Sequence, residues 1–316
     1  PLGSITGIEE YTYQDTITLP NECTDWVLSV CESSRNTAIT TINNPGLQDL
    51  CVEAIINNST GVTPCNNSPT FSIPPVPFIC NSMTYCYNNG AIDIDGDSLV
   101  YTLVTPLSNS SGGLVSYNGG YSVNNPAGGT ITFDPLTGNL CLTPVSTLIT
   151  VLAIRVDEYR NGVLIGSVIR DIQINVINCS NNTPVLSGFD GSPTNVNSNP
   201  TSATYDFCAD EVTSINLTID GSDPNSSNNL NMTWNQSIPG ATFNVAGNNT
   251  NSPIGTFNWT PSSAFGSSIP YYFTVSITDD ACPINASFSY SYSITITASP
   301  DAGISNNISV CSTDPP

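Results

Sequence analysis

The chain contains no lysine and no histidine, and its 4 basic residues (Arg35, Arg155, Arg160, Arg170) face 25 acids, for a formal net charge of −21. Without histidine there is no Ser-His-Asp triad, no His-bearing zinc site and no imidazole proton shuttle. Without lysine there is no Schiff base, no Walker lysine and no Lys-Asn isopeptide cross-link. Phosphate-backbone binding needs clustered Lys and Arg, so nucleic acid is excluded. The same sign argument excludes anionic lipid surfaces. No stretch approaches the roughly 20 apolar residues of a membrane helix, so direct membrane insertion is not expected. Charged residues make up only 9%, which leaves Asn, Ser, Thr and Gly to supply the polar surface. Such an acidic surface suits the cell exterior, where salt screens the repulsion.

What is present reads as all-β. Hydrophobic residues are 39% of the 316 and fall in short runs without helical periodicity. Period-2 alternation is clear in Arg170–Val176 and Tyr290–Ile296, with one apolar and one polar face, as in a sandwich strand. Asn161-Gly162 between two strand patterns is a hairpin signal. Two repeats align with a period of about 115 residues, the spacing from Pro69 to Pro184. Each opens on a polar linker ending in Pro, then runs through a Cys-bearing strand, an acidic loop, an aromatic-bearing strand and an alternating strand. A second acidic pair and a final alternating strand follow. About seven strands per repeat predicts tandem immunoglobulin/cadherin-like β-sandwiches over residues 66–179 and 180–298. Residues 5–65 read as a partial or small disulfide-stapled β module, with strand-like runs at Tyr11–Leu19, Trp26–Val30 and Leu50–Ile56. Residues 299–316 read as the start of a next module or a linker. Pro1-Leu2-Gly3-Ser4 resembles a protease-tag scar and is set aside. No signal peptide is visible, and the chain reads as an excised piece of something longer.

The densest acidic loop is Asp93-Ile94-Asp95-Gly96-Asp97. Three carboxylates at alternate positions around one Gly suit a hard cation. In sandwich modules the loops after the second and sixth strands meet at one end. Asp93, Asp95 and Asp97 are therefore expected to converge with Asp157 or Glu158 on one Ca²⁺. In the second repeat, Asp220 and Asp223 are expected to converge with Asp279 or Asp280, although that loop is poorer in acids. The first loop is not an EF-hand, because its Gly falls too early and no Glu completes a 12-residue loop. The plainer alternative is that these are solvated turn residues, since Asp-Gly is ordinary turn chemistry. Asp134 reads as a turn former. Trp26, Trp234 and Trp259 read as core or cross-strand residues sooner than as a sugar-stacking platform. Paired carboxylates occur in glycoside hydrolases, but nothing in the sequence raises one pKa selectively, and no enzyme is expected.

Eleven cysteines, none in a CxxC pair, point to disulfides in an oxidising compartment. Cys208–Cys282 is the first expectation. Cys80–Cys179 with Cys86–Cys141 is expected next, with Cys80–Cys86 as the local alternative. Cys23–Cys31 and Cys51–Cys65 are expected by proximity, leaving Cys311 as the odd residue.

The string Ala91–Tyr101, with Asp157–Gly162 and Arg170–Gln173, resembles a motif of very large Bacteroidetes surface proteins. These are gliding-motility-associated adhesins of the SprB type, exported by type IX secretion. Thr18–Trp26 is also similar to a segment that precedes this module there. The resemblance is strongest over residues 5–179. Residues 180–298 resemble a generic cadherin-like or PKD-like repeat of the same proteins. It implies a filament of tandem modules projecting from the outer membrane and moved by a proton-driven motor. The implied partners are neighbouring modules of the same chain, the substratum or surface polysaccharide, and motility-machinery proteins reached through other regions. It also implies calcium at repeat junctions, by analogy with cadherins. Asp220-Gly221-Ser222-Asp223 departs from the full Asp-x-Asp-Gly-Asp. The function expected is a structural stalk segment of a secreted adhesin. The alternative is a carbohydrate-binding module that contacts polysaccharide through exposed aromatics such as Tyr117 and Tyr121.

Overall fold

The computed structural model describes residues 10–59, 65–189, 201–207, 214–262, 265, 267–282 and 284–298. The described residues are strands joined by loops, with one 3-10 turn at Pro45–Leu47 and no α-helix. They divide into two compact units, the described residues up to Thr183 with those of 281–287, and the described residues from Pro184 to Asp280 with those from Phe288 onward.

The first unit contains β1 (Trp26–Glu32), β2 (Leu50–Ile56), β3 (Thr70–Phe71), β4 (Phe78–Cys80), β5 (Tyr85–Asn88) and β6 (Ala91–Ile92). It continues with β7 (Ser98–Val104), β8 (Thr130–Phe133), β9 (Asn139–Thr143), β10 (Leu148–Arg160) and β11 (Val163–Ile177). One sheet runs β1-β2-β11-β10-β7, with β4 parallel to the end of β11, and β5-β9-β8 forms another. Tyr85, Tyr87, Leu140 and Leu142 pack on Leu152, Ile154, Val156, Ile172 and Ile174 in one core. The β10–β11 hairpin turns at Asn161-Gly162, both at positive φ (53° and 78°), the backbone of a type I′ turn. The sequence predicts a partial or small module of its own over residues 5–65. Instead β2 pairs with β11 through Gly166–Val168, so β1 and β2 extend the sheet of the first repeat.

Strand β10 is buried on both faces. Leu152, Ile154 and Val156 point into the main core, while Val151, 0% exposed, packs with Ile39, Ile42 and Val115. The continuous apolar run Val151–Ile154 has this physical meaning: a strand with a wet face alternates, and one covered on both faces does not. The connections around Ile39 and Val115 supply the second cover.

Three disulfides fasten this unit. Cys31–Cys51 and Cys86–Cys141 join residues that lie directly opposite in their ladders. Cys80–Cys179 ties β4 to the residues after β11 and closes a separation of 99 residues. The last two agree with expectation and set aside Cys80–Cys86. Cys23–Cys31 and Cys51–Cys65 are corrected: antiparallel pairing of β1 with β2 places Cys31 against Cys51, so strand register decides the partner and sequence proximity does not. Cys208 and Cys311 lie outside the described residues, and Cys282 is in no disulfide among the described ones.

The second unit contains β12 (Val185–Leu186), β13 (Ser202–Phe207), β14 (Ile215–Ser222), β15 (Leu230–Trp234), β16 (Thr242–Ala246), β17 (Ile254–Trp259), β18 (Ser267–Asp279) and β19 (Ser287–Ala298). Its sheets run β12-β14-β17-β16 and β13-β19-β18-β15. Phe257 stacks on Phe273 at 4.5 Å between ring centroids, and Phe273 on Tyr292 at 5.5 Å. Trp259 is buried and Trp234 packs against the same core, as the cross-strand reading of these tryptophans predicts.

Candidate metal centre

The loop after β6 is organised by its first acid. Asp93 Oδ1 accepts the backbone N–H of Asp95 (2.9 Å) and of Asp97 (3.0 Å), folding the chain around Gly96, which sits at φ +82°. Oδ2 of Asp93 is buried and accepts nothing. Asp97 then leads directly into β7, and antiparallel pairing of Leu99 with Glu158 brings the end of β10 beside the loop.

Strand alternation separates the two acids of β10. Glu158 shares the face of Leu152, Ile154 and Val156 and is 0% exposed. Asp157 points the other way and pairs with Arg155, Nε to Oδ1 at 2.9 Å. Gly166 lies opposite Glu158 in the ladder. A Cβ there would come within 2.9 Å of Glu158 Oε2 and 3.2 Å of the Ile55 carbonyl, so the glycine makes room for the carboxylate. Neither oxygen of Glu158 has a hydrogen-bond partner.

One carboxylate oxygen from each of Asp93, Asp97 and Glu158 lies within 4.8 Å of the others. This is the one such group of three among the described residues. That spacing is about twice the 2.3–2.6 Å of a Ca²⁺–oxygen bond, so two ligands on one ion fall naturally at this separation. Asp95 stands apart: its carboxylate accepts Asn67 N (2.7 Å) and Nδ2 (3.0 Å). The Arg160 guanidinium forks onto Asp97, Nε–Oδ1 at 2.8 Å and Nη2–Oδ2 at 2.6 Å. It also donates to the Cys65 carbonyl and to Asn66 Oδ1.

The electrostatics follow burial. Loss of water pushes the Glu158 carboxyl up to about 8; the Asn66 side chain pulls the other way, while the charge of Asp93 and the side chain and charge of Asp97 add to the rise, neither Asn66 nor Asp97 meeting hydrogen-bond geometry with it. Burial also raises Asp93, opposed by its two backbone N–H bonds. The Asn67 backbone and side-chain bonds hold Asp95 below the usual carboxylate range. Glu158 and Asp93 are thus raised while Asp95 is lowered, a spread not expected from sequence. A general acid must nevertheless reach its substrate, and Glu158 has no exposed surface.

In the second repeat the acids are placed differently. Asp223 accepts Asn225 N and Asn228 Nδ2, and Asp280 accepts Asn229 N and Nδ2, both at 2.8 Å. Asp279 is buried on β18 and Asp220 is half-buried on β14. No three of them form a comparable group among the described residues. Tyr117, expected as an exposed aromatic, donates its hydroxyl to the Val151 carbonyl (3.0 Å) and packs beside Ile39. Tyr121 packs against the main core. Sequence reasoning missed Arg160, Asn66, Asn67 and Gly166 as parts of the acidic site. Arg160 was legible in principle, as the residue before the hairpin turn and two positions from Glu158.

No family model and no curated protein matches the sequence. Solved structures similar to the chain include Drosophila N-cadherin EC1-3, at 11% identity and TM-score 0.25, covering 90% of this chain and 92% of that one. A second is PcdhgB3 EC1-4, at 14% identity and TM-score 0.24, covering 79% of this chain and 57% of that one. A third is the endo-fucoidan hydrolase MfFcnA4, at 13% identity and TM-score 0.23, covering 86% of this chain and 39% of that one. Likeness at this level says nothing of site or activity.

Proposed function

We propose that this chain is a stalk segment of a secreted cell-surface adhesin, built of β-sandwiches stiffened by disulfides and, in the first repeat, by calcium held at Asp93, Asp97 and Glu158. The reading is carried by Glu158, a fully buried carboxylate with both oxygens unpartnered, facing two further carboxylates. A buried anion without a donor is costly, and a divalent cation with oxygen preference removes the cost. The ion does no chemistry on a substrate; it would join the loop before β7 to the end of β10 and rigidify that corner. The three disulfides fit an oxidising, extracellular setting. Attachment and gliding motility, in an outer-membrane-associated filament exported by type IX secretion, are proposed from the motif resemblance over residues 91–101, 157–162 and 170–173. Its proposed partners are neighbouring modules of the same chain and the substratum or surface polysaccharide, with motility machinery met through other regions of such a filament. The packing of Tyr117 and Tyr121 speaks against the carbohydrate-binding alternative at that surface.

Calorimetric titration with calcium tests the reading on the chain as it stands. Saturable binding that Asp93→Asn with Asp97→Asn removes supports it. Absence of binding heat, together with an unchanged melting temperature in millimolar calcium, sinks it.

A further inference from the structure

Thr12–Leu19 has the composition of a strand, and among the described residues it enters no ladder. Residues 12–18 are all exposed, Tyr13 at 77% and Ile17 at 55%. β1 lies at the end of its sheet and among the described residues is paired on one side alone, by β2. Val27 and Val30 on it are 53% and 60% exposed. The chain thus carries both an unpaired strand and an open sheet edge of matching length, and open edges recruit strands. The two are kept apart within one molecule. Asn58 lies two residues past Ile56, the ladder partner of Trp26, and it binds the segment before β1 at three points. Its N–H donates to the Cys23 carbonyl (3.0 Å), its Nδ2 to the Asn21 carbonyl (3.1 Å), and its Oδ1 accepts the Cys23 N–H (2.7 Å). The Trp26 indole N–H also donates to the Asn21 carbonyl (3.2 Å). Residues 21–23 therefore continue the line of β1 past the end of the sheet. Folding 12–19 back onto its own β1 would break these bonds.

A second copy, related by a two-fold axis normal to the sheet, satisfies both elements. Its β1 runs antiparallel beside Thr12–Leu19. By the same operation its own Thr12–Leu19 lies beside β1 of the first copy. Such an axis keeps each side chain on its face of the sheet, so paired residues share parity and the axis falls on a residue. Charge then selects the residue, in a chain of net charge −21, because like charges directly opposite are destabilising. An axis on Asn21 opposes Glu32 to Glu10, and one on Glu22 opposes the two Glu22 carboxylates. One on Thr24 opposes exposed Val27 to Asn21, whose carbonyl is already bound twice. An axis on Cys23 opposes Val27 to Leu19, Val30 to Thr16 and Glu32 to Gln14. Asp15 then faces Cys31, Glu22 faces Thr24 and Asp25 faces Asn21, so no acid meets an acid. Cys23 itself is in no disulfide among the described residues, and its Sγ donates to Asp25 Oδ1 at 3.0 Å.

We propose that this chain forms a two-fold dimer in which Thr12–Leu19 of each copy adds as an antiparallel strand to β1 of the other, with the two Cys23 residues meeting on the axis. Both open edges are consumed, so the pairing closes at two copies. Calcium plays no part in it, and it couples two stalk segments laterally.

Light scattering after size exclusion, in chelator, tests it. At about 100 µM chain the mass should be twice that of one copy. The amides of 12–19 should exchange at least about tenfold more slowly there than at high dilution. Treatment with oxidised glutathione should give a reducible dimer whose linking peptide joins Cys23 to Cys23. Thr16→Pro with Ile17→Pro removes two N–H groups from a segment that is exposed in the single chain, so folding is spared. That variant should be monomeric, lose the cross-link and melt with the dilute wild type. A single-copy mass at about 100 µM, a dimer that the proline pair leaves intact, or cross-links confined to Cys65 or Cys282 would overturn the proposal. Protection of 12–19 that dilution does not change would also overturn it, since the strand then pairs within its own fold.

Discussion

Replacing Glu158 by glutamine separates a cation site from a merely acidic turn, because the two predict opposite effects with and without calcium. Glu158 is fully buried with unpartnered oxygens, and burial moves its carboxyl from 4.5 to about 8. Folding therefore favours the protonated form. The stability this confers is complete below about pH 4.5 and is lost as the pH climbs through about 8. Each pH unit between 4.5 and 7 costs about 1.4 kcal/mol, a ceiling of roughly 3 kcal/mol. Hydration at the mouth of the loop, where Asp95 is exposed, lowers this to about 1–2 kcal/mol. Glutamine has nearly the same shape and does not ionise. In chelator near neutral pH the variant should melt about 2–8 °C above the wild type, given a shift of roughly 2–4 °C per kcal/mol for a unit of this size. At about pH 4.5 the two should melt together. Calcium at about 100 times its dissociation constant should stabilise the wild type by about 2.7 kcal/mol, or roughly 5–10 °C, and the variant by far less. Scanning calorimetry of both proteins, in calcium and in chelator at the two pH values, reads all of this. A variant that melts below the wild type in chelator, or that gains as much from calcium, would refute the reasoning.

Arg160→Met should lower the melting temperature in chelator, since Asp97 and Asp95 lose their fixed cation, yet tighten calcium binding in a titration, because one positive charge leaves the site. Gly166→Ala should destabilise the first unit by about 1–3 kcal/mol in urea unfolding, since the new Cβ meets Glu158 Oε2 at 2.9 Å. Paired Cys80→Ala and Cys179→Ala, which open a loop with a separation of 99 residues, should cost up to about 4.7 kcal/mol by the loop-entropy argument. Removing Cys31–Cys51, with a separation of 20, should cost about 3 kcal/mol on the same argument.

Much of the fold is legible where a signal is local. Alternation marks β11 and β19, and Asn161-Gly162 marks the hairpin, because only such residues take two successive positive φ angles cheaply. The docking of β2 on β11 is not legible. It rests on three register pairs at Gly166–Val168, and no periodicity names a partner strand. The same gap misdirected Cys31 and Cys51, whose pairing is a consequence of register. The candidate site divides likewise. The Asp93–Asp97 loop is visible in sequence, and so is the choice between the two acids of β10, since Glu158 keeps step with Leu152, Ile154 and Val156 while Asp157 keeps step with Arg155. That Asp95 turns to Asn67, and that Arg160 forks onto Asp97, depends on how the linker returns to the loop, which no local pattern encodes.

The missing residue types return here as a physical constraint. Each of the four arginines is already engaged: Arg35 with Asp171, Arg155 with Asp157, Arg160 with Asp97 and Asp95, and Arg170 with the Ile73 carbonyl, Asn89 and the Phe71 ring. With no lysine or histidine in the sequence, no further side-chain cation exists to serve Glu158 and the bare Oδ2 of Asp93. A proton serves Glu158 alone, and only below about pH 8. One divalent ion would serve both carboxylates at once. Calcium binding near neutral pH should then expel a proton from Glu158, and the titration heat should scale with the ionisation enthalpy of the buffer.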